Sequence, residues 1–166
     1  MATQSSPVQS SSAQSSAAGD AGLAAKPSLT LKRRLNATPE KVYAAWADPE
    51  KLVQWFGPAS VKDGSVQADI DLRVGGRYRI SFHSAKGEYH QVDGVYQEVV
   101  PNERLVFSWA WYSTPERESL VTVSIKPDGE GTLLTFHHEQ FFDVAARDNH
   151  ERGWMELLAK LENYLV

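Results

Sequence analysis

Histidine has the widest chemical reach of any residue in this chain, able to ligate a metal through its neutral ring or to move a proton near neutral pH. Five are present, at His83, His90, His137, His138 and His150. A metal site needs several of them to converge, and their spacing does not bring this about. His137 and His138 are adjacent in a segment that reads as a strand, so their rings point to opposite faces, and no His-x-His or His-x-x-x-His pair occurs. We therefore expect neither a metal ion nor another cofactor. His138 shares parity with Leu134 and Phe136. It should face inward, as a hydrogen-bonded core residue or as a polar anchor or acid/base group in a pocket. Tyr89 and Tyr96 are the other residues that could serve proton transfer. Asp69 and Asp71 share a strand face, which suits a wet sheet surface better than a general acid/base pair. Arg73, Arg77 and Arg79 surround Gly75-Gly76, but a glycine pair between two strands makes a turn, not the phosphate-cradling loop that opens a helix. Nucleophilic catalysis finds no support. There is no Gly-x-Ser-x-Gly motif, and the absence of cysteine removes thiolate chemistry, disulfides and Cys-based metal sites together.

A second set of residues could hold a molecule rather than transform one. Leu105, Phe107, Trp109 and Trp111 alternate along one segment, so a single strand face carries two indoles. Near the C-terminus Trp154, Leu157, Leu158, Leu161 and Leu165 form an apolar stripe of helical period. Gly153 interrupts that helix at a cost of about 1 kcal/mol relative to alanine. Close packing of the helix on its neighbour is the expected compensation, with a bend over a pocket mouth as the alternative.

The elements that would position these residues are well marked. Ser28 to Asn36 alternates as a half-buried strand. Thr38-Pro39-Glu40 and Asp48-Pro49-Glu50 are two successive helix starts, each with an N-cap residue, a proline at the first helical position and an acid in the first turn. Gly57-Pro58 ends the second helix. The pattern predicts strands over 65–73, 77–84, 88–99, 103–112, 119–127 and 131–139. Gly75-Gly76, Lys86-Gly87, Pro101-Asn102 and Asp128-Gly129 lie at turns. Short turns imply antiparallel hairpins, and each strand pairs an apolar with a polar face, as in a sheet covered on one side. A long helix from Asp143 or Asp148 to Leu165 is the natural cover.

At 166 residues the chain has room for one ordinary domain. A net charge of −4 argues against a surface built for nucleic-acid phosphates or anionic lipid. No apolar run reaches the ~20 residues that cross a bilayer, and Met1 to Gly22 lacks the basic start and apolar segment of a secretory signal. The expected location is cytoplasmic. Residues 1–27, rich in Ser, Ala and Gln and without an aromatic side chain, read as a disordered tail, and residues 28–166 as the domain.

The element order, strand, two helices, six strands, helix, resembles the helix-grip fold of the START-like (birch-pollen-allergen-like) superfamily. Seven segments carry a closer resemblance: Ala37-Thr38-Pro39-Glu40-Lys41-Val42-Tyr43-Ala44-Ala45-Trp46, Leu52-Val53-Gln54-Trp55-Phe56-Gly57-Pro58, Asp71-Leu72-Arg73-Val74-Gly75-Gly76-Arg77-Tyr78, Gly94-Val95-Tyr96-Gln97-Glu98-Val99-Val100-Pro101, Arg104-Leu105-Val106-Phe107-Ser108-Trp109, Gly131-Thr132-Leu133-Leu134-Thr135-Phe136 and Gly153-Trp154. In that order they are similar to the subfamily related to the activator of the heat-shock-protein-90 ATPase. The resemblance implies an α+β domain in which a curved antiparallel sheet of about seven strands wraps the C-terminal helix. It implies non-catalytic binding of a hydrophobic small molecule (lipid, aromatic or polyketide-like) between sheet and helix. Its expected walls are Trp46 and Phe56 from the short helices, and Tyr78, Phe82, Tyr96, Phe107, Trp109, Trp111, Phe136 and His138 from the sheet. Trp154 and Leu158 would close it from the long helix. A polyketide cyclase or aromatase-like enzyme is the first alternative, although few polar residues are available to it. A chaperone-interaction module is the second, and the sequence has no counterpart of the eukaryotic activators' separate chaperone-binding domain.

Overall fold

The computed structural model describes residues 26–58 and 60–166. Residues 1–25 lie outside it, and with them the expectation of a disordered tail. The described chain runs β1 (Leu29–Leu35), α1 (Pro39–Ala47), α2 (Pro49–Leu52), β2 (Gln67–Ile70), β3 (Arg77–His83), β4 (Tyr89–Val100), β5 (Arg104–Trp111), β6 (Ser119–Asp128), β7 (Gly131–Glu139) and α3 (Val144–Tyr164). The strands form one antiparallel sheet in the order β1-β7-β6-β5-β4-β3-β2. Six strands therefore follow one another by hairpins, and β1 is the exception. It pairs with β7, placing Leu29 opposite His138 and Leu35 opposite Thr132. The chain must cross from one edge of the sheet to the other between β1 and β2, and α1 and α2 make that crossing. This is the α+β helix-grip architecture that the sequence implies.

Local chemistry fixes the boundaries. The Thr38 hydroxyl accepts from the Lys41 amide, and the Asp48 carboxylate, which both ends α1 and opens α2, accepts from the Glu50 amide at 2.9 Å. The Asp143 carboxylate accepts from the Ala146 amide at 2.8 Å, so α3 starts at the earlier of the two expected positions. The four expected turns each contain a residue at positive φ: Gly75, Gly87, Asn102 and Gly129.

Two expectations need correction. The strand expected over 65–73 is only four residues long, Gln67–Ile70. After Ile70 the backbone turns, with the Arg73 guanidinium drawn onto the Asp71 carboxylate at 2.9 Å. Leu72 and Val74 are left exposed. The sheet is also not uniformly open on its outer side, because β5 is buried on both faces. Val106 and Ser108 point away from the helix yet are nearly inaccessible. An Arg104–Glu98 ion pair at 3.1 Å lies alongside Val106 on that face, Glu98 being its cross-strand partner. The Ser108 hydroxyl accepts from the Val95 amide at 2.9 Å, beside the bulge that shifts the β4–β5 register between Tyr96 and Glu98.

Inside the grip, Trp154, Leu157, Leu158 and Leu161 of α3 are buried against the inner sheet face and α1. All five indoles join in one chain of ring contacts: Trp55 to Trp46 at 4.8 Å between centroids, Trp46 to Trp154 at 6.2 Å, Trp154 to Trp109 at 5.0 Å and Trp109 to Trp111 at 5.5 Å. Offset and edge-on aromatic pairs of this kind add to the stabilisation that burial already provides.

Candidate functional site

A cavity of about 310 Å³ lies between α3 and the β3–β5 part of the sheet. Its sheet wall is Phe82 of β3, His90 of β4, and Trp109 and Trp111 of β5. Phe56 and Pro58, in the turn that follows α2, form one side. Asn149, His150, Gly153, Trp154 and Leu157 of α3 form the roof. Alternation along β5 puts both tryptophans inward, and the i, i+4 spacing of Asn149, Gly153 and Leu157 puts these three on one helical line. The interior is almost wholly apolar, and among the described residues no lysine, arginine, aspartate or glutamate lines it. Asn149 is exposed, while Pro58, His90, Trp111 and Gly153 are half-buried, which places the opening at their end.

Two hydrogen bonds tie the roof to the walls. Lys160 Nζ donates to the Gly57 carbonyl at 2.8 Å, joining α3 to the turn that carries Phe56 and Pro58. Burial lowers the pKa of this lysine, in part offset by Glu156 and Asp63. Trp111 Nε1 donates to His150 Nε2 at 2.9 Å, joining α3 to β5. The other ring nitrogen of His150 lies 2.7 Å from the Ala146 carbonyl. The ring is therefore neutral with its proton on Nδ1, and burial pulls its pKa down.

Deeper in, His138 is fully buried. Trp154 Nε1 donates to its Nδ1 at 3.1 Å, and its Nε2 lies 2.7 Å from the Ser119 hydroxyl, which in turn donates to the Trp109 carbonyl at 3.3 Å. Desolvation first, then His150 and His137, hold its pKa well below the usual imidazole value. Both nitrogens are occupied by protein partners and the ring does not line the cavity. His138 is thus a hydrogen-bonded core residue, the first of its two expected roles. Of the five indoles, those of Trp55, Trp111 and Trp154 have acceptors. Those of Trp46 and Trp109 are buried without a hydrogen-bond partner among the described residues.

The structure divides the twelve expected wall residues into three groups. Phe56, Phe82, Trp109, Trp111 and Trp154 line the cavity. Trp46, Tyr78, Tyr96 and Phe107 instead surround, with Phe56, Trp109 and Trp154, a separate void of about 20 Å³, room for roughly one water. They fill the interior rather than enclose a ligand-sized space. Phe136, His138 and Leu158 line neither and belong to the core. Sequence reasoning missed Pro58, His90, Asn149, His150 and Leu157 as wall residues, and expected Gly153 at a packing contact or at a bend over a pocket mouth. The signal for two of them was present: the stripe of α3 extends back from Trp154 to His150, one turn earlier, and Leu157 lies in the stripe itself. Gly153 is not compensated by close packing, because a Cβ placed there would meet, outside its own stretch of helix, no heavy atom of the described residues within 4 Å.

A curved antiparallel sheet gripping a long C-terminal helix over an apolar cavity defines a START-like helix-grip protein. The chain belongs to the family described as Activator of Hsp90 ATPase homolog 1-like protein, whose family model matches residues 36–166. Solved structures from bacteria are similar. A protein from Chromobacterium violaceum is 29% identical, over 84% of this chain and 98% of its own, with a TM-score of 0.74. One from Rhizobium loti is 33% identical, over 84% and 96%, with a TM-score of 0.70. The AHSA1 protein from Silicibacter pomeroyi is 27% identical, over 84% and 97%, with a TM-score of 0.70. No curated protein matches the chain. Among the described residues no helix is long and apolar enough to cross a membrane. The family supports a ligand-binding or activator-like module and does not by itself select a ligand.

Proposed function

We propose that the protein binds an uncharged, largely aromatic or aliphatic small molecule in the cavity beneath α3, without transforming it. The observation that carries this reading is the cavity itself, about 310 Å³ walled by aromatic faces with no charged side chain. A volume at the low end of the roughly 300–1,000 Å³ typical of ligand sites favours a compact ligand over a long acyl chain. The absence of a wall charge disfavours an ionised one, whose desolvation nothing would offset. Among the polar groups that line the cavity, His150 has both nitrogens engaged, which leaves that ring without a free nitrogen for cyclase-like proton transfer. Native mass spectrometry of protein purified from its host, with displacement of Nile red by the recovered compound, tests the reading. Empty protein that also fails to take up Nile red would sink it.

A second reading has one observation behind it besides family membership. Tyr112 and Phe142 are exposed in the loops flanking β6 and β7, Val144 is exposed at the start of α3, and the Arg117 guanidinium lies 3.9 Å over the Phe142 ring. An apolar surface of this kind suits a protein partner. Stimulation of an Hsp90-type ATPase by the wild-type protein and not by Phe142→Ser supports this contact; no stimulation at micromolar protein removes it.

A further inference from the structure

We infer that Gly153 is the size-determining residue of the cavity, and that the side chain missing there is what keeps its outer half open. The inference rests on the binding role proposed above. A glycine nine residues into a 21-residue helix is a destabilising choice, so something must offset it. Packing does not, since a Cβ at this position would meet, outside its own stretch of helix, no heavy atom of the described residues within 4 Å. Backbone geometry does not either, since Gly153 is not among the residues at positive φ. What remains is the space. Gly153 lines the cavity, one turn after exposed Asn149 and one turn before buried Leu157, both of which line it too.

Direction decides where an added side chain would go. On an α-helix the Cα–Cβ bond tilts toward the N-terminus. A side chain at 153 would therefore lean toward Asn149 and the opening, not toward Leu157 and the closed end. Two hydrogen bonds oppose any backing away of the helix that would restore the room. Lys160 holds it to the Gly57 carbonyl at 2.8 Å on one side, and His150 holds it to Trp111 at 2.9 Å on the other. Stability and capacity are thus set against each other at one position: alanine would strengthen the helix and leucine would fill the entrance.

Thermal unfolding and equilibrium titration with two neutral probes, naphthalene and the larger pyrene, test this on the full chain and on Gly153→Ala and Gly153→Leu. The expected result for Gly153→Ala is a melting temperature raised by about 2–4 °C, with pyrene bound more weakly than by the wild type. For Gly153→Leu we expect a melting temperature not below that of the wild type, pyrene weakened by about tenfold or more, and naphthalene affected less. A lower melting temperature for Gly153→Ala, or pyrene bound by Gly153→Leu as tightly as by the wild type, overturns the inference and leaves the binding role standing. Should Gly153→Leu unfold, undiminished pyrene binding by Gly153→Ala has the same force. Wild-type protein that takes up neither probe overturns the binding role, and the size role with it.

Discussion

His138 shows how much a single parity argument can deliver and where it stops. Alternation with Leu134 and Phe136 places it inward, and the structure agrees. Whether an inward residue lines a cavity or fills the core depends on where the helix crosses the strand, which parity does not encode. The same limit separates Trp109 and Trp111, which line the cavity, from Phe107, two residues earlier on the same face, which does not. The buried position of His138 has a thermodynamic consequence. Its ring and that of His150 are held neutral in the fold, with pKa values pulled down first by desolvation, whereas an unfolded histidine takes up a proton near pH 6.5. Below that pH the unfolded chain binds more protons than the folded one. The stability is therefore fully present above about pH 6.5 and is lost as the pH falls toward the depressed folded values. For His138 the slope approaches about 1.4 kcal/mol per pH unit. Thermal unfolding from pH 7.5 to 5 should show a falling midpoint. His138→Gln, which retains a donor and an acceptor, should flatten that fall. An unaltered profile in the variant would place the proton uptake elsewhere.

Among the elements, the hairpins were legible because their turns demand particular residues, and the structure puts Gly75, Gly87, Asn102 and Gly129 at positive φ where the chain has to reverse. The end of β2 was not legible, since Asp71 to Val74 continues the alternation while the Asp71–Arg73 pair and the turn at Gly75 pull it out of the ladder. A different glycine acts across strands. Gly94 of β4 lies opposite Tyr78 of β3, and the Tyr78 ring passes over it to donate its hydroxyl to the Ser108 carbonyl of β5 at 2.6 Å. One side chain thereby fastens three strands together. A Cβ at Gly94 would come within 1.9 Å of the Ser108 carbonyl oxygen and 2.4 Å of the tyrosine ring, distances that require the strands to move apart. Gly94→Ala should cost at the upper end of the roughly 1–3 kcal/mol typical of overpacking, or more. Tyr78→Phe, which keeps the ring and loses the bond, should cost only about 1 kcal/mol. Urea unfolding of the two variants measures the difference, and equal costs would refute the steric account.

At the scale of the whole molecule the ordered motifs were enough to identify the helix grip, because two capped helices followed by six hairpin-linked strands leave few ways to cover one sheet face. The cavity was beyond sequence reach for a different reason. Its volume is the small remainder after large side chains have packed, and a modest shift of α3 would convert lining residues into filling ones. The indole chain described above also gives the molecule an optical property. Rings in contact exchange excitation energy far faster than they emit. Light absorbed by Trp55 or Trp46, away from the cavity, therefore migrates through Trp154 to Trp109 and Trp111 in its wall. An occupant that absorbs in the near ultraviolet should quench nearly the whole tryptophan emission, not just the share of the three wall indoles, and a partial, saturating quench would show that the chain is broken. If the chain is intact, the protein reports its own occupancy without any added label.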